Sequence, residues 1–172
     1  MAKKPFFSIV IPTYNRAYDL QFALYCILRQ NFLDFEIIIS DNCSSDGTKA
    51  VVSKLKNKKI RYFRNKENIG SIRNIDKALT YAKGEYIFLH GDDDFILYDN
   101  SLQEICLRIQ GHGVGYARVN YVCTTSKKGH VFDFKINKPF YTDKYFPPLL
   151  GNGKILSFII IKPIPKLVFH IT

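Results

Sequence analysis

Three consecutive acids, Asp92-Asp93-Asp94, follow Gly91 near the middle of the chain and are the side chains best suited to chemistry. At about 4 Å and an effective dielectric of about 20, two carboxylates repel by roughly 4 kcal/mol before screening. A divalent cation offsets that repulsion. Hard ions such as Mg²⁺ or Mn²⁺ take one or two carboxylates together with substrate phosphate oxygens. The plainer alternative is an acidic turn in which Asp caps the next helix. Tyr14, just past an apolar run and beside Pro12 and Thr13, can stack on a nucleobase for about 1–3 kcal/mol, or serve as a surface tyrosine. Arg73, close to a helix start near Ser71, can reach a diphosphate or base where the helix N-terminus favours the same anion, or simply be solvated.

These residues need elements to hold them. Phe7 to Ile11 is apolar on both faces, as in a parallel strand covered by helices, and Pro12 stops it. Between Arg16 and Phe32, Leu20, Ala23, Leu24, Ile27 and Leu28 recur at helical spacing, with Asn15 as the expected N-cap. Phe35 to Ser40 reads as a second strand and Asp41 to Gly47 as a loop, in which Asp41 suits an Asx-turn or cap. A short helix marked by Val51, Val52 and Leu55, a strand over Ile60 to Phe63 and a helix marked by Ile72, Ile75, Ala78, Leu79 and Ala82 come next. Gly84 is expected to end that helix.

Glu85 to His90 is the buried strand leading to the acids, and Ser101 with Glu104 predicts a capping box for the following helix. The alternation predicts an α/β fold with a mostly parallel sheet and right-handed crossovers. Ligands then bind at the carboxyl edge, where Pro12 to Asn15, Asp41 to Ser45 and Asp92 to Asp94 should converge. Beyond Gly113, Val114 to Thr125 and His130 to Ile136 read as strands and Asn137 to Gly153 as a loop or lid. Ile155 to Ile161 reads as a strand left without neighbours.

With 172 residues, 47% of them hydrophobic, the chain fits one domain with a real core. The formal net charge of +10 calls for an anionic partner: nucleotide phosphates, a membrane surface or nucleic acid. Cys26, Cys43, Cys106 and Cys123 form no CxxC pair, which argues against a zinc site and a disulfide framework. No secretory signal and no membrane-length apolar run is legible, so the expected location is the cytoplasm, with peripheral contact at the inner face of the membrane. Eight cations, Lys49, Lys54, Lys56, Lys58, Lys59, Arg61, Arg64 and Lys66, occur with no acid among them. They read as a solvated face, then as a surface for anionic lipid; nucleic acid is not expected, since no recognised module accompanies them.

Four ordered stretches carry a resemblance: Ser8-Ile9-Val10-Ile11-Pro12-Thr13-Tyr14-Asn15-Arg16, Ile39 to Thr48 (Ile-Ser-Asp-Asn-Cys-Ser-Ser-Asp-Gly-Thr), Glu67-Asn68-Ile69-Gly70-Ser71-Ile72-Arg73-Asn74, and Gly84 to Leu89 with Asp92 to Asp94. Together they resemble the motifs of family 2 glycosyltransferases with the GT-A fold, well over about residues 6–110 and loosely beyond. The resemblance implies a Rossmann-like, mostly parallel sheet with helices on both faces and a small antiparallel C-terminal part. It also implies one domain over 1–172, with 1–112 the nucleotide-sugar half and 113–172 a partial, incomplete acceptor-side half.

By match, Pro12, Thr13, Tyr14, Asp41, Arg73, Asp92 and Asp93 bind the nucleotide sugar. Asp94, with Asp92, holds Mn²⁺ or Mg²⁺, and Asp92 or Asp93 holds the ribose. Asp41 would accept a pyrimidine N–H, which favours a UDP-sugar. The implied reaction is inverting transfer to a hydroxyl of a glycan or lipid-linked acceptor, in surface polysaccharide synthesis, with a carboxylate base. No base is assigned, because Asp133 and Asp143, the downstream acids, do not match the expected context. The alternative is a truncated, non-catalytic nucleotide-sugar-binding protein. A nucleotidyltransferase-like enzyme predicts a glycine-rich phosphate loop, which Pro12-Thr13-Tyr14-Asn15 is not. His90, His112, His130 and His170 have no ligand spacing.

Overall fold

The computed structural model describes residues 3–112 in full and the backbone of two further strands, 116–119 and 158–161. Strands and helices alternate as β1 (Phe7–Thr13), α1 (Ala17–Leu28), β2 (Phe35–Asp41), α2 (Thr48–Leu55), β3 (Ile60–Arg64), α3 (Ser71–Thr80), β4 (Tyr86–Leu89) and α4 (Ser101–Ile109), followed by β5 (Tyr116–Val119) and β6 (Phe158–Ile161). The sheet order is β3-β2-β1-β4-β6-β5. β1 to β4 pair in parallel, and β6 runs antiparallel to both β4 and β5.

β1 and β2 lie inside the sheet because they are apolar on both faces. Phe7, Ile9, Ile11, Ile37 and Ile39 pack with Leu20, Leu24 and Ile27 of α1 and Leu102 of α4. Val10 and Ile38 face the other way, against Ala78 of α3. Each fully buried aliphatic side chain contributes about 1.5–3 kcal/mol, so this two-sided core fixes the register, which sets Thr13 opposite Asp41 and Val10 opposite Leu89.

Several local expectations change. Asn15 does not cap α1: its φ is +52°, and the cap position belongs to Arg16. Asp46 instead supplies the acceptor from another loop, its Oδ2 taking the Ala17 N–H at 2.9 Å. Ser101 is the first residue of α4 and makes no cap with its side chain; the Leu102 N–H goes to Gln30 Oε1 at 3.0 Å. α3 ends at Thr80, so Gly84 does not terminate it. A Cβ on Gly84 would lie 2.4 Å from Ser8 N, and this close approach is what requires glycine. Ile155 to Ile161 was expected to lack neighbours, yet Phe158–Ile161 sits between β4 and β5, with Ile160 opposite both Phe88 and Ala117. The expected strand over His130 to Ile136 and the lid over Asn137 to Gly153 lie outside the described residues.

Candidate functional site

The sheet changes direction of winding at β1, with β2 on one side and β4 on the other. Loops leaving β1 and β4 are therefore neighbours at the carboxyl edge, the edge where α/β sheets bind ligands, and they lead to α1 and α4, which pack on the same face of the sheet. The acids lie there. Asp92 is buried, Asp93 exposed and Asp94 partly buried. None of them caps the next helix, whose cap position is Asn100. The carboxylates of Asp93 and Asp94 fold back over Gly91: a Cβ there would lie 2.4 Å from Asp94 Oδ2 and 3.1 Å from Asp93 Oδ1. Glycine thus leaves room for two carboxylates to approach one point.

Crowding shows in the protonation equilibria. Burial, with the charges of Asp93 and Asp92, pushes the Asp94 carboxyl up to about 6, although the Gly91 backbone opposes it. Burial also raises Asp92, against the Thr13 hydroxyl, the Arg16 guanidinium and the Tyr14 backbone. Arg16, which the sequence reading did not single out, bonds Asp93 and lies 3.7 Å from Asp92. A cation already belongs to this cluster, supplied by the loop after β1. His90, fully buried beside the acids, is lowered to about 4 by that burial and stays neutral at pH 7.

Asp41 ends β2 and is fully buried. Its Oδ1 accepts the Ser44 N–H at 2.8 Å, and its Oδ2 accepts the Tyr62 hydroxyl and stands 3.6 Å from Arg64 Nε. It closes the turn, the role the loop sequence itself suggested. Asn15 joins this loop to the first: its Oδ1 accepts the Ser45 N–H at 2.7 Å, and the Asn15 N–H reaches Ser44 Oγ at 2.9 Å. Asp46 holds the starts of two helices, taking the Ala17 N–H on Oδ2 and the Thr48 N–H and hydroxyl on Oδ1.

A buried amide network, also unforeseen, fixes the loop before α3. Asn74 Nδ2 donates to Ser40 O at 2.9 Å, and its Oδ1 accepts from Ser40 Oγ at 2.8 Å and Asn65 Nδ2 at 2.9 Å. Asn42 Oδ1 accepts from Asn65 Nδ2 and the Ile69 N–H, both at 3.0 Å, and its Nδ2 donates to Asn68 at 2.7 Å. The sequence signal was the recurrence of Asn at 65, 68 and 74, whose partners lie on β2 and its loop.

The remaining expected site residues divide. Thr13 is buried, Pro12 half-buried and Tyr14 45% exposed, so of the three only Tyr14 offers a broad contact face. Arg73 is exposed in the first turn of α3, with no ion pair among the described residues. Among the described residues no group of three or more His, Cys, Asp or Glu side chains is arranged to hold a metal ion. Carboxylate oxygens are the donor type that a hard cation takes, one or two at a time beside substrate phosphate oxygens.

Residues 8–158 match the family described as "Glycosyl transferase family 2". The chain belongs to this family. It is 37% identical over 130 residues to the GalNAc(5)-diNAcBac-PP-undecaprenol beta-1,3-glucosyltransferase of Campylobacter jejuni, covering 74% of this chain and 41% of that one. It is 40% identical over 98 residues to the abequosyltransferase RfbV of Salmonella typhimurium, covering 54% of this chain and 29% of the relative. The chain thus spans less than half the length of either relative.

Among solved structures, Staphylococcus aureus TarS 1-349 in complex with UDP superposes with a TM-score of 0.60 at 29% identity, over 64% of this chain and 33% of TarS. The mannosyltransferase PcManGT from Pyrobaculum calidifontis superposes with a TM-score of 0.60 over 67% of this chain and 35% of its own, and at 22% identity shows the shared fold alone. The α/β, mostly parallel, GT-A-like architecture is therefore that of glycosyltransferases.

Proposed function

We propose that this chain is the nucleotide-sugar-binding part of a metal-dependent, inverting glycosyltransferase that acts on a glycan or lipid-linked acceptor in surface polysaccharide synthesis. The observation that carries the reading is the gathering of Asp92, Asp93 and Asp94 at the carboxyl edge beside β1, with two carboxylates folded over Gly91. The relatives' printed activities support it: a glucosyltransferase named for an undecaprenol-linked acceptor, and TarS, crystallised with UDP and with UDP-GlcNAc.

In this reading Asp94, with Asp92, holds Mn²⁺ or Mg²⁺, and Asp92 or Asp93 takes the ribose. When bound, the ion supplies Lewis acidity to the leaving diphosphate. The chain's own residues bind and orient. Tyr14 stacks on the base, with Pro12 and Thr13 shaping that strand end, while Arg73 and the start of α3 face the diphosphate. Asp41 orders the second loop through Ser44 and shares its Oδ2 between the Tyr62 hydroxyl and a pyrimidine N–H. Arg16 leaves Asp93 as the donor enters. Asp133 and Asp143 lie outside the described residues, and no base is assigned. Residues 1–112 form the donor half and 113–172 contribute to the acceptor side.

No helix among the described residues is long and apolar enough to cross a membrane. The place of action that fits the acceptor is the cytoplasmic face of the membrane. Calorimetry with UDP and other nucleoside diphosphates, with and without Mn²⁺, tests the donor site. Turnover of their sugars with lipid-linked and glycan acceptors tests transfer. Metal-dependent UDP binding with transfer is expected; donor binding without transfer or hydrolysis supports the non-catalytic alternative, and no nucleotide binding removes both.

A further inference from the structure

We infer that the flank of the sheet formed by α2 and β3 is a docking surface for an anionic membrane leaflet. The stretch from Gly47 to Lys66 holds no acid. Three of its eight cations have partners within the fold. Arg61 pairs with Glu36 at 2.8 Å, Arg64 donates to Ser44 O at 2.9 Å, and Lys59 bonds Leu33 O. The other five, Lys49, Lys54, Lys56, Lys58 and Lys66, are exposed and make no ion pair among the described residues.

These five line one side of the molecule. β3 is the end strand of the sheet, α2 precedes it, and the parallel pairing with β2 fixes its direction. Lys49 in the first turn of α2 and Lys66 just past β3 therefore stand toward the carboxyl edge, and Lys54, Lys56 and Lys58 toward the opposite edge. Between α2 and β3 lies an open cavity of 340 Å³ with Val52, Ile60 and Tyr62 in its wall and Lys56 and Lys58 exposed beside them. Exposed lysines around a small apolar recess suit phosphate head groups, which meet the ammonium groups while glycerol carbons reach the recess.

The inference concerns the flank alone and stands whether or not the acids bind metal.

The test is sedimentation of the full 172-residue chain with phosphatidylcholine vesicles, with and without phosphatidylglycerol, at low and high salt. Binding is expected only with phosphatidylglycerol and should fall with salt. The triple variant Lys54→Gln, Lys56→Gln, Lys58→Gln should keep the melting temperature and weaken vesicle binding about a hundredfold, at about fivefold per cation. A control of equal charge, Lys4→Gln, Lys83→Gln, Arg108→Gln, should lose far less. Binding indifferent to lipid charge, equal losses in the two variants, or capture by heparin without any by vesicles overturns the inference.

Discussion

Arg16 and Asp93, 77 residues apart in sequence, are joined by a hydrogen-bonded ion pair that bridges the loops after β1 and β4. The guanidinium thereby takes a share of the negative charge that a divalent ion would otherwise neutralise. Asp93 raises Arg16 further above its ordinary value, through the hydrogen bond first, against a smaller penalty of burial.

If Arg16 competes with the ion, Arg16→Ala should bind Mn²⁺ about two- to fivefold more tightly, since a partly exposed pair contributes up to about 1 kcal/mol. Calorimetric titration of Mn²⁺ into both proteins reads this directly. Weaker binding by the variant would show instead that Arg16 supports the ligand.

The raised carboxyl of Asp94 makes stability depend on pH. Its folded value of about 6 exceeds the ordinary 3.8, so the folded state holds this proton more tightly than the unfolded chain. That contribution is complete below about pH 4 and is lost as pH rises through about 6. Asp94→Asn removes it, and the variant should gain on the wild type between about pH 4 and pH 7. The gain is on the order of 1 kcal/mol once solvent screening of a partly exposed group is allowed for. Thermal denaturation of both proteins across that window measures the difference, and parallel curves contradict the assignment.

Asn74 joins α3 to β2 inside the protein. Asn74→Ala leaves the Ser40 carbonyl and an Asn65 N–H without this partner, at a cost of roughly 2–3 kcal/mol. Urea unfolding should show a lower midpoint with an unchanged slope. An unchanged midpoint would mean the amides rearrange freely.

Two glycines should respond differently. At Gly84 a methyl group would meet backbone, 2.4 Å from Ser8 N and 2.8 Å from Phe7 C, and β1, paired on both sides with β2 and β4, cannot retreat, so Gly84→Ala should cost about 3 kcal/mol or more. Gly70 has φ of +84° and ψ of 157°, a backbone region that essentially only glycine occupies, with open space around it; Gly70→Ala should cost about 1–3 kcal/mol, from backbone strain alone. Equal losses in chemical denaturation would contradict the packing account of Gly84.

The central strands were legible because Ile9, Val10, Ile11, Ile37, Ile38 and Ile39 form short, β-branched apolar runs without alternation, each followed by a polar loop. The convergence of the loops after β1, β2 and β4 followed from the order of the elements. What stayed hidden depends on partners distant in sequence. Asp46 caps α1 across 29 residues and Gln30 caps α4 across 72; no local motif announces either. Asp41 could be read either as a base contact or as an Asx-turn; its bond to Tyr62 on the neighbouring strand could not be read from the loop. The basic run looked uniform, although the fold engages Lys59, Arg61 and Arg64 and leaves the lysines around them exposed.

The most direct measurement is anomalous diffraction from crystals soaked in Mn²⁺ and UDP. A manganese peak bonded to Asp94 or Asp92 and to the diphosphate oxygens is expected, with Arg16 withdrawn from Asp93. UDP bound elsewhere, or held at this edge with no ion and with Arg16 still on Asp93, contradicts that expectation.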